Sequence, residues 1–139
     1  MPMTTPIIPW VGGKRRLADR LIPLFTPHEC YAEVFAGGAA LFFSAAWQRL
    51  AGTYVENLPW LECAERYDRA HTFHYMDPPY WQTAGYGVDF PFDNYERIAE
   101  FMRRCKGKVM VSINDHPEIR RVFEGFHFET LDIRYTTAN

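Results

Sequence analysis

A chain of 139 residues is long enough to bury a real core and too short for two full domains, so one domain over 1–139 is expected. With 47% hydrophobic and 17% aromatic residues it has a soluble globular composition, and a net charge of −2 excludes bulk electrostatic binding to nucleic acid, leaving local patches for any such contact. No apolar run approaches the ~18 residues of a membrane helix.

The opening residues lack the charged and apolar regions of a secretory leader. Cys30, Cys63 and Cys105 are odd in number and widely spaced, with no zinc or disulfide spacing. Reduced thiols, a cytoplasmic location and no metal are therefore expected.

Residues 1–8 read as an extended, proline-punctuated lead-in. Pro9-Trp10-Val11-Gly12-Gly13-Lys14-Arg15-Arg16 then reads as a Gly-Gly turn opening a helix. Leu17, Leu21, Leu24 and Phe25 give that helix one apolar face at the 3.6 period, and Pro27 closes it. The glycine pair admits a ligand close to the backbone, and the new helix offers unpaired N–H groups to an anion. A plain loop-to-helix junction with solvated Lys14, Arg15 and Arg16 would look the same.

Tyr31 to Phe43 reads as strand, glycine turn and helix, the helix running to about residue 50. This is the first β–turn–α of a nucleotide-binding α/β sheet, with Gly37 and Gly38 turning the chain at the strand's carboxyl end, where ligands bind in such sheets. Glu33, an acid on an apolar strand, calls for a partner that a cationic ligand would supply. Residues 53–57 read as a short strand ending in Glu56 and Asn57. Pro59 is placed at the first position of a brief helix.

Thr72, Phe73, Tyr75 and Met76 suit a buried strand, which runs into Asp77-Pro78-Pro79-Tyr80. Two prolines end the ladder, because each lacks an N–H and has its φ fixed. One carboxylate, one prolyl carbonyl and one aromatic ring are thereby held nearly fixed; a capping Asp and a packing Tyr would be the plain alternative. Residues 81–93 form a long aromatic loop in which Trp81, Tyr86 and Phe90 either extend a binding platform or join the core. Asp93 and Glu96 suggest a capping box for a helix over 94–105, with Tyr95, Ile98, Ala99 and Met102 inward. A strand over 108–112, the turn Asn114-Asp115-His116, a short helix to about Phe123 and a terminal strand over 127–133 complete the reading.

The order Pro9-Trp10-x-Gly12-Gly13-Lys14, Glu33-x-Phe35-Ala36-Gly37-Gly38-x-Ala40-Leu41-Phe42, then Asp77-Pro78-Pro79-Tyr80 resembles the Dam-like DNA adenine-N6 methyltransferases. Glu56-Asn57 and Asn114-Asp115-His116 resemble further segments of that family, so the likeness spans nearly the whole chain. The resemblance implies a reduced Rossmann-like sheet with helices on both faces, and S-adenosylmethionine as methyl donor. The cofactor would lie over Phe35, Ala36, Gly37 and Gly38, flanked by Trp10, Gly12, Gly13 and Lys14. Glu33 would sit near its cationic end, Glu56 or Asn57 at its adenosine, and Asp77 beside the methyl group. Asp77, Pro78, Pro79 and Tyr80 would hold an adenine flipped out of DNA.

The sequence departs from the family at one place. After the glycine turn only residues 44–52 stand between Phe43 and the 53–57 strand, so neither a ribose-binding acidic strand nor a target-recognition domain fits. A miniature catalytic core is expected, one that reads little or no DNA sequence and leaves room for a homodimer or a separate specificity partner. Phosphate contacts would fall to Arg15, Arg16 and Arg20, to Arg103, Arg104, Lys106 and Lys108, or to Arg120 and Arg121. Two other readings stand beside this one: a non-catalytic remnant that binds cofactor or DNA, and a methyltransferase for an amino group of RNA or protein.

Overall fold

The computed structural model describes residues 17–35, 54, 56–83 and 89–132. Among them the elements are helix α1 (Ala18–Leu21), a 3-10 turn (Ile22–Leu24), strand β1 (Cys30–Glu33), helix α2 (Trp60–Arg66), strand β2 (Thr72–Met76), helix α3 (Asp93–Arg104), strand β3 (Lys108–Val111) and helix α4 (Pro117–Val122). The strands form an open parallel sheet in the order β1-β2-β3. In register, Glu33 stands opposite Tyr75, and Met76 opposite Val111.

All five residues of β2 are buried, as expected of a central parallel strand covered on both faces. Its period of two divides the core. Phe73 and Tyr75 pack with Leu17, Ala18 and Leu21 of the first helical segment. Met76 packs with Ala64 of α2, with Tyr95, Ile98, Ala99 and Phe101 of α3, and with Ile119 of α4. His74 points the same way, edge-on to Phe101 at 5.3 Å between ring centres.

Gly107 marks a close approach. A Cβ there would stand 2.4 Å from the Thr72 carbonyl oxygen, so the turn into β3 admits no side chain. The Gly107 and Lys106 amides both donate to the Asp68 carboxylate, tying the openings of β2 and β3 together.

Several expected elements differ. The first helix tightens to a 3-10 turn at Ile22, beside Pro23, which has no N–H to continue the α ladder. Leu17 and Leu21 are buried as expected, but Leu24 is 42% exposed because the tighter turn rotates it outward. The capping box is absent: Phe92 is the N-cap of α3, no side chain caps it, and Asp93 is already helical. Pro59 is the N-cap of α2, one residue outside the position expected.

Tyr54, Glu56 and Asn57 lie in no strand, and Tyr54 is 80% exposed. Residues 127–132 are likewise irregular. Their alternation has no neighbouring strand among the described residues to pair with; instead Phe128 receives the Arg120 guanidinium over its ring. The Gly-Gly-Lys turn, the glycine turn at 36–38 with its helix, and Tyr86 lie outside the described residues.

Candidate active site

Parallel strands put all three carboxyl ends on one edge, where ligands of open α/β sheets bind. Glu33 closes β1, Asp77 follows β2 and Ser112 follows β3. The Ser112 amide donates to the Met76 carbonyl at 3.0 Å, extending the ladder one step past the strands. This brings the Ser112 hydroxyl to Asp77, to which it donates at Oδ1 over 2.7 Å. The Tyr75 hydroxyl is 2.7 Å from the same serine oxygen.

The turn after Asp77 is pinned at several further points. Pro78 is fully buried. The Tyr95 hydroxyl of α3 donates to the Pro79 carbonyl over 2.6 Å. The Asn114 amide accepts from the Trp81 N–H and donates to the Trp81 carbonyl, each at 2.9 Å, as a neighbouring strand would. The Trp81 indole N–H donates to Glu118 on α4 over 2.8 Å. Gln82 turns the chain in the left-handed region at φ 55°, and Thr83 Oγ1 donates back to the Tyr80 carbonyl. The segment is thus held from β3, α3 and α4 at once.

Phe35 joins this edge through aromatic contacts. Its ring lies 6.0 Å from Trp60 and 5.7 Å from Phe90, which in turn meets Tyr95 edge-on at 5.2 Å. Trp60 donates from its indole to Asn94, fixing α2 to the start of α3. Of the aromatic loop, Trp81 and Phe90 pack against the core. Glu33, half-buried, accepts the Tyr31 hydroxyl at 3.0 Å; burial, with that carboxylate beside it, pushes the Tyr31 phenol up.

Glu56 is engaged elsewhere. Its carboxylate takes the Tyr67 hydroxyl and lies 3.4 Å from Arg66, at the far end of α2 from Trp60. The Tyr67 hydroxyl, and then Arg66, hold the Glu56 carboxyl below its usual value. Asn57 is exposed.

The structure therefore brings Glu33, Phe35 and Asp77 to Tyr80 to one edge and turns the Glu56 carboxylate toward α2. Trp10, Gly12, Gly13, Lys14, Ala36, Gly37 and Gly38 lie outside the described residues. Tyr95 and Ser112 were not legible as site residues: one reads as a helix core position, the other as the end of a strand. A hydroxyl on an otherwise apolar strand end is the signal that could have pointed to Ser112.

Of the basic clusters, Arg20, Arg103, Arg104 and Arg120 are exposed and bonded within the molecule, while Arg15 and Arg16 lie outside the described residues. Arg20 donates to the Asp132 carbonyl, Arg103 to that of Val122, Arg104 to Glu65, and Arg120 to Asp115 with two bonds. Among the described residues no His, Cys, Asp or Glu group is placed to hold a metal ion, and no helix is long and apolar enough to cross a membrane.

An open parallel sheet flanked by helices, with a pinned acidic turn at its carboxyl edge, places the described residues in the α/β class. Within that class, residues 10–57 match the model of the D12 class N6 adenine-specific DNA methyltransferase family. Over those residues the match bears out the Dam-like resemblance. It ends before Asp77-Pro78-Pro79-Tyr80. No curated protein and no solved structure matches the chain.

Proposed function

We propose that this chain transfers the methyl group of S-adenosylmethionine to the N6 amino group of adenine in DNA, from a single reduced Rossmann-like catalytic domain without a target-recognition domain. The observation that carries this reading is the rigid setting of Asp77 to Tyr80 on the same sheet edge as Phe35, the last described residue of the glycine-turn segment.

Asp77 and the Pro78 carbonyl act as two acceptors for the adenine amino group. Adenine's exocyclic nitrogen is a weak nucleophile because its lone pair is delocalised into the ring; two acceptors favour a pyramidal nitrogen with the pair exposed. Asp77 also offsets the positive charge that develops there, and Tyr80 stacks on the base, a contact worth about 1–3 kcal/mol. S-adenosylmethionine, when bound, supplies a methyl group already activated by its sulfonium. The donor set suits it: Glu33 offers a carboxylate to its cationic end and Phe35 an apolar wall, with Trp10, Gly12, Gly13, Lys14, Ala36, Gly37, Gly38 and Asn57 completing the site. The protein's task is then mainly alignment, for which a pinned turn is suited.

Weak or absent sequence specificity follows from the short 44–52 stretch, and a homodimer or specificity partner would supply what is missing. One observation favours a second reading, binding without turnover: Glu56, expected at the adenosine, is held by Tyr67 and Arg66. A methyl-transfer panel with labelled S-adenosylmethionine separates the readings. Label is expected in duplex DNA and not in RNA or protein. Binding of DNA or of S-adenosylmethionine with no transfer to any substrate would support the second reading.

A further inference from the structure

We infer that Ser112, backed by Tyr75, is a positioning residue that orients the Asp77 carboxylate for the methyl acceptor. This rests on the reading of Asp77 as the group that receives the adenine amino group.

The hydrogen-bond directions follow from the chemistry. An ionised carboxylate only accepts, so the single Ser112 hydroxyl hydrogen goes to Asp77 Oδ1, 2.7 Å away. The Ser112 oxygen then receives the Tyr75 hydroxyl, also at 2.7 Å. Two hydroxyls in series polarise one another, and the bond that reaches Asp77 is charge-assisted.

Both ends of this chain are anchored. Tyr75 is fully buried in the middle of the sheet, its ring against Phe25. Ser112 is fixed by its own amide to the Met76 carbonyl. Rotation of the Asp77 carboxylate would break the bond to Ser112, so its two oxygens keep distinct places. A bond donated to the charged form also favours ionisation, the state that can accept from an amino group. Other titratable groups on the elements around this edge are already engaged: Glu33 with Tyr31, Tyr95 with Pro79, and Asp115 with Arg120.

Ser112→Ala removes the hydroxyl and leaves the backbone bond to Met76. The test is the steady-state kinetics of the full chain, with circular dichroism checking the fold. In Ser112→Ala, kcat should fall roughly ten- to hundredfold, the scale of one hydrogen bond to a charged group. KM for DNA and for S-adenosylmethionine should stay within about twofold if Ser112 acts only through Asp77. The acidic limb of the kcat profile should move to higher pH, and Ser112→Thr should restore most of the rate. Unchanged kcat and an unchanged acidic limb would overturn the inference.

A second measurement needs no turnover: carbon-13 NMR titration of the Asp77 carboxyl in the wild type, Ser112→Ala and Tyr75→Phe. Its titration should rise in both variants, more in Ser112→Ala, and an unmoved titration would overturn the inference. If the wild type transfers no methyl group, the proposed function falls while this titration still decides whether the hydroxyl chain holds Asp77.

Discussion

Tyr95 links the core to the acidic turn through one atom. Its ring is buried on α3 and its hydroxyl meets the Pro79 carbonyl. Tyr95→Phe keeps the packing and leaves that carbonyl short of a partner, at a cost of about 1–2 kcal/mol, to be read from urea unfolding. Methyl transfer should fall as well, because the turn loses its tie to α3. His74 makes a different prediction. Its side chain is fully buried, Nε2 lies 3.4 Å from Asp68, and Nδ1 has no hydrogen-bond partner among the described residues. Burial holds its imidazole below the usual 6.5, with Asp68 opposing in part. The folded protein thus keeps His74 neutral, while the unfolded chain protonates it at the usual value. Stability from this residue is full above that value and is lost as pH falls below it, by at most about 1.4 kcal/mol per unit. The urea midpoint should be lower at about pH 5.5 than at about pH 7.5, and His74→Gln should flatten the difference.

Helix α3 does most to cover one face of β2. Tyr95, Ile98, Ala99 and Phe101 are buried on it, while Arg103 and Arg104 extend outward in its last turn, where cations suit the helix dipole. Ile98→Ala should cost about 2–4 kcal/mol through the cavity it leaves; exposed Glu100→Ala should stay within about 0.5 kcal/mol. Chemical denaturation of the two variants checks both. The inward face was largely legible, since Tyr95, Ile98 and Ala99 follow the helical period. Phe101 also follows that period, three residues on from Ile98, and was missed; its ring joins the same core cluster and meets His74 edge-on. Strand β2 was legible because five buried residues ended by two prolines leave few alternatives. The expected strands at 53–57 and 127–133 were not, because a local pattern cannot supply a pairing partner. Cap residues failed for a related reason: Asp93 has the right chemistry, but the chain enters the helix one residue earlier.

At the scale of the molecule, three parallel strands place residues distant in sequence on one edge. The placement of Asp77 at the sheet edge was legible because the prolines after it mark where the chain must leave the sheet. That Glu33 and Phe35 lie at the end of the first strand was legible from the strand pattern before a glycine pair. The holding residues were not, because Ser112, Tyr95 and Asn114 gain their roles only when β3 and α3 come to lie beside β2. The same folding turns Glu56 toward Tyr67, whose phenol is pushed up to about 12 by that bond, an arrangement that sequence order alone does not reveal. On the proposed mechanism, Asp77, so held, activates the adenine amino group. The most direct test of that step incubates duplex DNA with S-adenosylmethionine and either the wild-type chain or Asp77→Ala, then digests the DNA and measures N6-methyladenine by mass spectrometry. N6-methyladenine with the wild type, and none with a folded Asp77→Ala, is the predicted result; equal amounts from both proteins would contradict the account.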